Sequence, residues 1–384
     1  MGAALLTLGS CTNEINEEGF VDKAKTISFN AYPNKTRAVT GDVTTDNMKG
    51  DNFGVVGYKS DNSIYLYKGT NSAVEQTWNS TSSTWEYQTP GDLKFWPEGS
   101  MDFYAYFPYS DNVTFAGSDA SGDVMTISNV NCSHDVLFAK YTTPYIERVP
   151  LTFYHAFSKI KEVNVKIGDE TDKGYVKDAG VSVEIKNVEF INTSTSGAVK
   201  VDNIGEASYD VASPNETLSK DLSSSVITVN STQLTGTLID NSTSGGYLFA
   251  TTSSSSATNN VKGTEKTMWD GDKNHITGTN NKLSESGLVC LKLTCKVWNG
   301  TDDNKYYYVG GDGDNYGEVY IPLMGTDSNN NSVTTFEAGK RYIYNIVFKD
   351  NVGFRDNGDP VLRPILFSVN SVDAWGDVEV TITL

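Results

Sequence analysis

The three histidines of this 384-residue chain are the first residues to test for catalysis. A serine-type hydrolase needs a histidine beside a nucleophile and an acid. His134 directly precedes Asp135, but neighbours on a strand point to opposite faces, so adjacency favours no shared site. His155 lies in an apolar stretch typical of a core histidine, and His275 lies in a polar loop. Because the motifs GxSxG, HExxH and GxxxxGKS/T are absent from the sequence, we predict no enzyme and no catalytic residue.

Acidic turns are the next candidates, because carboxylate oxygens bind calcium. The stretch GGDGDNYG at 310–317 supplies Asp312, Asp314 and Asn315. It carries Tyr316 where an EF-hand loop needs an oxygen ligand, and it lacks the later glutamate. We interpret it as a turn with solvated carboxylates, and we predict no metal site and no cofactor.

Cys11 follows a short apolar run and two small residues in MGAALLTLGSC, residues 1–11. This pattern resembles the end of a bacterial lipoprotein signal peptide, where the cysteine thiol receives the lipid. No Lys or Arg precedes the run, so we expect a start upstream or a clipped one. We predict a signal peptide at 1–11, lipid on Cys11, and an acidic polar tether at 12–24 that follows the membrane-held cysteine. The alternative is a free thiol in a cytosolic protein.

The other cysteines are Cys132, Cys290 and Cys295. Cys290 and Cys295 are five residues apart on an alternating segment, which places them on opposite faces of a strand and roughly 16 Å apart. A disulfide between them would break the strand. We predict buried free thiols, and a pairing of Cys132 with either of the others stays open.

Apolar and polar residues alternate with period two along almost the whole chain. In KTISFNAY (25–32), for example, Ile27, Phe29 and Ala31 share one face. Clusters of Gly, Asn, Asp, Ser and Thr separate such segments, as turns require. Without crossover helices, parallel α/β folds are excluded. The sequence predicts an all-β fold of antiparallel β-sandwiches with few or no helices.

The organisation of the chain follows from breaks in this pattern. The segment YTTPYIERVP (141–150) carries two prolines and is interpreted as a connector. We therefore predict an N-terminal β-sandwich over 25–147 and a C-terminal one over 148–384. The stretches 193–245 and 253–286 are rich in Ser, Thr, Asn and Gly, which predicts long loops in the second sandwich.

Tryptophans occur in two settings, around a predicted hairpin turn and inside a polar stretch. Trp78 and Trp85 flank NSTSST, which predicts a hairpin with a cross-strand aromatic pair. Trp269 lies inside the polar stretch 253–286, where an exposed ring would be a possible ligand contact for a glycan or a host surface. The alternative is that Trp269 folds back onto its own domain.

The charge of the chain excludes several classes of partner. Thirty Lys and Arg against 48 Asp and Glu give a formal charge of -18. Such a chain has no basic footprint for nucleic acid, and it does not adhere to anionic lipid by charge. No run approaches the roughly 20 apolar residues of a membrane helix.

Five stretches occur in a recognisable order: KFWPEGSMDFYAYFP (94–108), HDVLFAKY (134–141), VPLTFYHAFSKIKEVNVKI (149–167), FEAGKRYIYNIVF (336–348) and ILFSVNSVDAW (365–375). Together with LGSC at 8–11, this set resembles the fimbrillin family, the Mfa-like subunits of type V pili. The resemblance extends over residues 8–375, although 193–286 match no part of the pattern.

The resemblance implies two tandem transthyretin-like β-sandwich domains and export as a lipoprotein precursor to the outer membrane. It further implies that a trypsin-like protease cuts after an arginine and releases the lipidated segment with the first strand. A strand from another pilin subunit then fills the groove, so that a homo- or heteropolymer, the fimbrium, grows at the cell surface.

Mapped onto this sequence, the cut falls between Arg37 and Ala38 in NKTRA (34–38). It would release the removable strand, with Ile27, Phe29 and Ala31, and a foreign strand could fill the slot by β-augmentation.

At the other end of the chain, one face of DVEVTITL (377–384) is apolar and could serve as a donor strand; its residues are Val378, Val380, Ile382 and Leu384. The alternative is that this segment is the last strand of its own domain.

Two functions therefore remain open. The first is a fimbrial structural and adhesion subunit assembled by strand exchange. The second is a monomeric cell-surface lipoprotein that binds a glycan or a host protein through sandwich loops.

Overall fold

A computed structural model describes most of the chain between residues 25 and 383. The described residues are 25–34, 43–69, 72–117, 122–167, 181–230, 232–251, 257–277, 280–300, 304–327, 329–348, 353–361, 365–371 and 377–383. In the last two ranges the backbone is described, together with the burial of Val380.

Strands dominate the described residues, which confirms the all-β prediction. The first thirteen are β1 (Phe29–Pro33), β2 (Phe53–Lys59), β3 (Ile64–Leu66), β4 (Val74–Asn79), β5 (Thr84–Tyr87), β6 (Met101–Phe107), β7 (Val113–Phe115), β8 (Asp123–Val130), β9 (Leu137–Thr143), β10 (Val149–His155), β11 (Phe157–Ile167), β12 (Val181–Thr193) and β13 (Gly197–Asp202).

The next thirteen are β14 (Ala207–Val211), β15 (Glu216–Asp221), β16 (Ile227–Val229), β17 (Thr235–Asp240), β18 (Tyr247–Phe249), β19 (Cys290–Asn299), β20 (Tyr306–Val309), β21 (Gly317–Ile321), β22 (Gly325–Thr326), β23 (Ser332–Val333), β24 (Arg341–Phe348), β25 (Ile365–Ser371) and β26 (Asp377–Thr383). Two short helices, α1 (Thr45–Met48) and α2 (Leu283–Ser286), complete the set together with 3₁₀ turns at Pro90–Asp92 and Lys273–His275. Among the described residues, no helix has the length and apolar character needed to cross a bilayer.

The first sandwich is built on an eight-stranded sheet in the order β1-β10-β9-β6-β2-β4-β5, with β3 beside β2. The sheet curls until β1 lies next to β5, and its inner face encloses a core rich in Phe and Trp. Its outer face packs on a four-stranded sheet, β14-β13-β8-β7. Because β2 and β6 are covered on both faces, their sequences are apolar almost without alternation.

The second sandwich consists of two six-stranded sheets around one core. One sheet runs β17-β11-β24 and continues into β26 and β25, with β18 beside β11. The other runs β15-β12-β19-β20, with β16 and β21 alongside. Most pairings are antiparallel, but β1 with β10, β11 with β24, and β24 with β26 run parallel.

The division between the two sandwiches differs from the predicted boundary at residue 147. Strand β10 completes the first sheet by pairing with both β1 and β9, and the chain passes to the second sandwich at Ala156. The segment 141–150 therefore contains the end of β9, a turn at 144–148 and the start of β10, all within the first sheet. Strands β13 and β14 then return to the first sandwich, so its residues are not contiguous in sequence.

The stretch 193–245 contains strands β13 to β17, where we had expected loops. Strand β15 shows why the sequence concealed them. It lies at the edge of its sheet, and most of its residues, ETLSKD, are exposed. An edge strand with solvated side chains has no apolar face to reveal its period.

A stack of three aromatic rings joins the two sandwiches. Tyr209 on β14 lies 4.3 Å from Phe249 on β18, and Phe249 lies 5.6 Å from Phe157 on β11, measured between ring centroids. The Tyr209 hydroxyl donates a hydrogen bond to the carbonyl oxygen of Ala156, where the chain crosses between sandwiches. The stack therefore fixes the crossing point by packing and by a buried hydrogen bond.

Glu216 fixes the turn between β12 and β13. Its carboxylate accepts hydrogen bonds from the backbone N–H groups of Thr195 (2.5 Å) and Ser196 (2.8 Å), and from both hydroxyls. Partial burial raises the pKa of Glu216, but these hydrogen bonds outweigh burial, so the pKa lies below its ordinary value.

We expect Glu216→Gln to lower the free energy of unfolding at pH 7 by about 1–2 kcal/mol. A depressed folded pKa gives stability that is present above the unfolded pKa of about 4.3 and is lost as pH falls through the folded value. The variant should therefore lose less stability than wild type between pH 6 and pH 3 in denaturant titrations. Glu265→Gln, at an exposed position, is the control. If wild type and Glu216→Gln lost the same free energy of unfolding between pH 6 and pH 3, the lowered pKa of Glu216 would be contradicted.

Candidate functional site: the first strand and its groove

Strand β1 lies at one end of the curled sheet and pairs with a single strand, β10. The register is parallel, with Phe29 opposite Val149 and Ala31 opposite Leu151. Backbone hydrogen bonds from the Val149 N–H to the Ser28 oxygen (2.8 Å) and from the Asn34 N–H to the Phe153 oxygen (2.6 Å) extend the pairing at both ends. One neighbouring strand thus supplies the sheet hydrogen bonds of β1.

The inward side chains of this first strand fill the centre of the curled sheet. Ile27, Phe29 and Ala31 are buried, as their alternation predicted, whereas Tyr32 faces solvent and is 47% exposed. The Phe29 ring meets Phe103 edge-on, 5.5 Å between centroids. The strand therefore acts as a wedge that closes the core of the first sandwich.

The start of the strand is pinned to the opposite edge of the sheet. The Ile27 N–H donates to the Lys94 oxygen (2.9 Å), and the Trp96 N–H donates to the Lys25 oxygen (3.0 Å). The Tyr87 hydroxyl on β5 donates to the Ile27 oxygen (2.8 Å). These contacts hold the residues just before β1 against the end of β5 and the segment that follows it, which completes the closure of the sheet.

Arg37 and Ala38, the predicted cleavage site, and Cys11, the predicted lipid site, lie outside the described residues. The described residues that contain β1 end at Asn34, so Arg37 lies three residues beyond Asn34 and four beyond the end of β1 in sequence. Cleavage and lipidation therefore remain predictions.

The predicted donor strand forms β26, inside the second sandwich. It runs parallel to β24, with Val378 opposite Tyr342 and Ile382 opposite Ile346, and antiparallel to β25. Val380 is fully buried, and Leu384 lies outside the described residues. In this structure the segment is thus a strand of its own domain, and a donor role requires it to leave that sheet.

Trp269 is buried, which favours the alternative that it folds back onto its own domain over an exposed ligand contact. It belongs to a small core with Ile191, Leu283 and Tyr320, and its ring meets Phe354 edge-on at 5.0 Å. Its indole N–H donates to the Asp272 oxygen at 3.1 Å. The polar loop folds back on its own sandwich, so the ring offers no face to a ligand.

His155 and the three described cysteines are buried, whereas His134 and His275 are exposed. His155 Nδ1 contacts Asp135 Oδ2 at 2.7 Å, and both side chains are buried, away from any soluble substrate. Asp135 thus meets a histidine twenty residues further along the chain and not its neighbour. Cys132, Cys290 and Cys295 are buried free thiols, as predicted, and burial raises the pKa of each.

Comparison with known proteins identifies the family. A sequence model described as fimbrillin-like matches residues 36–358. The chain belongs to the fimbrillin-like family. None of the curated proteins compared matches it.

Among solved structures, the fimbrillin-like chain resembles a fimbrial protein from Bacteroides vulgatus with a TM-score of 0.50. The two are 16% identical, and the match covers 84% of this chain and 94% of the other, so it supports the fold alone. A candidate cell adhesion protein from Bacteroides uniformis also matches, with 13% identity, 91% and 98% coverage, and a TM-score of 0.41.

Proposed function

We propose that this fimbrillin-like chain is a pilin-like adhesion subunit that polymerises by strand exchange after cleavage at Arg37. The observation that carries the proposal is the first strand itself. It is an edge strand that pairs with β10 along Phe29–Pro33 and is hydrogen-bonded to Lys94, Trp96 and Tyr87 at its start. Its buried side chains Ile27, Phe29 and Ala31 complete a core. An arginine, Arg37, follows it within a polar stretch of the sequence, a composition typical of cleavage sites.

Loss of β1 would leave an apolar groove and an unpaired strand edge, which a replacement strand would stabilise. Phe53 and Phe103 meet the Phe29 ring, Phe153 packs against Phe53, and all three are fully buried while β1 is in place. Exposing a large apolar side chain costs about 1.5–3 kcal/mol. The outer edge of β10 would also lose its hydrogen-bonding partner. A foreign alternating strand satisfies both needs by β-augmentation.

The donor in this proposal is the segment 377–384 of another subunit. The apolar residues Val378, Val380 and Ile382 repeat the spacing of Ile27, Phe29 and Ala31. Strand β26 already runs parallel to an interior strand, as β1 does beside β10. The partners of the subunit are thus further pilin subunits, in a homo- or heteropolymer.

Before cleavage, lipid on Cys11 would hold the precursor to the outer membrane, with residues 12–24 as the tether. Cleavage after Arg37 would separate the sandwiches from this anchor. The mature subunit would then belong to a fimbrium at the cell surface. The competing proposal, a monomeric surface lipoprotein, keeps the first strand permanently in place.

The direct test is the pair of variants Arg37→Ala and Arg37→Lys, expressed as full-length precursors in cells that form the polymer. We expect Arg37→Ala to abolish the ladder of polymers on non-boiled gels, because β1 cannot leave. Arg37→Lys preserves a trypsin site and should keep the ladder if the protease accepts lysine. Normal polymers from Arg37→Ala would contradict strand exchange at this position and favour the monomeric lipoprotein.

A further inference from the structure

A cavity of about 610 Å³ opens where the first strand enters the curled sheet. Its walls come from residues 25–28, from β5, and from the turn between β9 and β10. Pockets of roughly 300–1,000 Å³ with apolar walls and a few polar groups are typical ligand sites in proteins. None of the predicted functional residues except Ile27 lies in its walls.

Two apolar side chains of the cavity wall are exposed to solvent. Leu93 and Tyr145 line it and are 37% and 42% exposed, whereas Trp85 forms a buried wall behind them. The Tyr145 ring is fixed by an edge-on contact with Trp96, 5.5 Å between centroids. An exposed but fixed apolar surface suits a ligand with one apolar face.

Two cations stand at the same cavity in a chain whose net charge is -18. Lys25 Nζ lies 4.5 Å from the centre of the Tyr145 ring. Arg148 is exposed and forms no ion pair within the described residues. A planar guanidinium on a surface turn is suited to binding a carboxylate through two parallel hydrogen bonds.

Two carboxylates also line the cavity, and they differ in whether they already accept hydrogen bonds from the protein. Glu86 already accepts hydrogen bonds from Asn79, Ser82 and Thr84 in the β4–β5 turn. Glu147 is exposed beside Arg148 and can accept hydrogen bonds from hydroxyl groups. Arg148 and Glu147 therefore match a ligand that carries both a carboxylate and hydroxyls.

We propose that this cavity binds an acidic saccharide, one with a uronic or sialic acid unit. A sugar ring presents an apolar C–H face to Leu93 and Tyr145, its carboxylate pairs with Arg148, and its hydroxyls donate to Glu147. Because residues 25–28 form one wall, the site exists only while the first strand is in place. Cleavage after Arg37 would remove that wall, so the site belongs to the uncut chain, and its test is independent of strand exchange.

The test is binding of the intact chain to a printed array bearing sialyllactose, galacturonate oligomers and lactose. We expect binding to acidic sugars, weakening with added salt, and little binding to lactose. Arg148→Gln and Tyr145→Ala should each weaken binding about tenfold, the effect of losing about 1.4 kcal/mol. Arg148→Lys should retain part of the affinity, because the charge stays while the bidentate geometry is lost.

Two matched controls lie in the second sandwich. Arg355→Gln removes another exposed arginine, and Tyr306→Ala removes a tyrosine that is 68% exposed. Both should bind like wild type, and all four substituted side chains are exposed enough for melting temperatures to stay unchanged within a few degrees. The proposal is overturned by absence of acidic-sugar binding, by preference for lactose, or by unchanged affinity in Arg148→Gln.

Discussion

Phe29→Ala is expected to destabilise the first sandwich by about 3–5 kcal/mol, the usual cost of truncating a buried phenylalanine. The ring is 1% exposed and meets Phe53 and Phe103 edge-on, at 6.2 and 5.5 Å between centroids. The Phe53 and Phe103 rings are themselves fully buried in a packed core, so they have little freedom to fill the cavity left behind. The same substitution weakens the hold of the core on the removable strand.

Chemical denaturation of the uncut chain measures this effect, with Tyr32→Ala as the matched control. Tyr32 lies on the same strand but points to solvent, so its truncation should cost less than about 0.5 kcal/mol. If Phe29→Ala were as mild as Tyr32→Ala, the first strand would not be a wedge in the core. Removal of β1 would then leave no apolar groove for a replacement strand to fill.

Trp269→Ala is expected to lower the free energy of unfolding of the second sandwich by about 3–5 kcal/mol. The ring is fully buried against Phe354 and belongs to the core that holds the long polar loop on the sheet. Trp269→Phe keeps an aromatic ring but loses the indole hydrogen bond to Asp272, and should cost about 1–3 kcal/mol.

Thermal and denaturant unfolding of both variants check this ordering. An unfolding free energy unchanged by Trp269→Ala would contradict the buried position. Array binding provides an independent readout: Trp269→Phe should bind saccharides like wild type, because the ring does not line the proposed cavity. Loss of binding in that stable variant would return Trp269 to the ligand site.

The period-two alternation was enough to predict the fold class and several particular contacts. Trp78 and Trp85 form the expected cross-strand pair on β4 and β5, 5.6 Å between ring centroids. Cys290 and Cys295 face opposite sides of β19, one in each of two cores. These predictions succeeded because each depends on neighbours in one strand or hairpin, where spacing alone sets the geometry.

The alternation of apolar and polar residues does not predict which strands, distant in sequence, pair in one sheet. The segment 149–167 reads as one apolar stretch, but it supplies β10 to one sheet and β11 to another. Nothing local marks Ala156 as the crossing point, because both halves are buried. The cavity at Tyr145 and Arg148 was missed for a similar reason: its walls come from three separate parts of the sequence.

The most direct test of the central claim is limited trypsin digestion of the purified chain, followed by intact mass and size exclusion. We expect one early cut after Arg37, release of the segment that precedes Ala38, and a ladder of oligomers as vacated grooves accept strands. Resistance at Arg37, or a cut chain that keeps its first strand and stays monomeric, would contradict strand exchange.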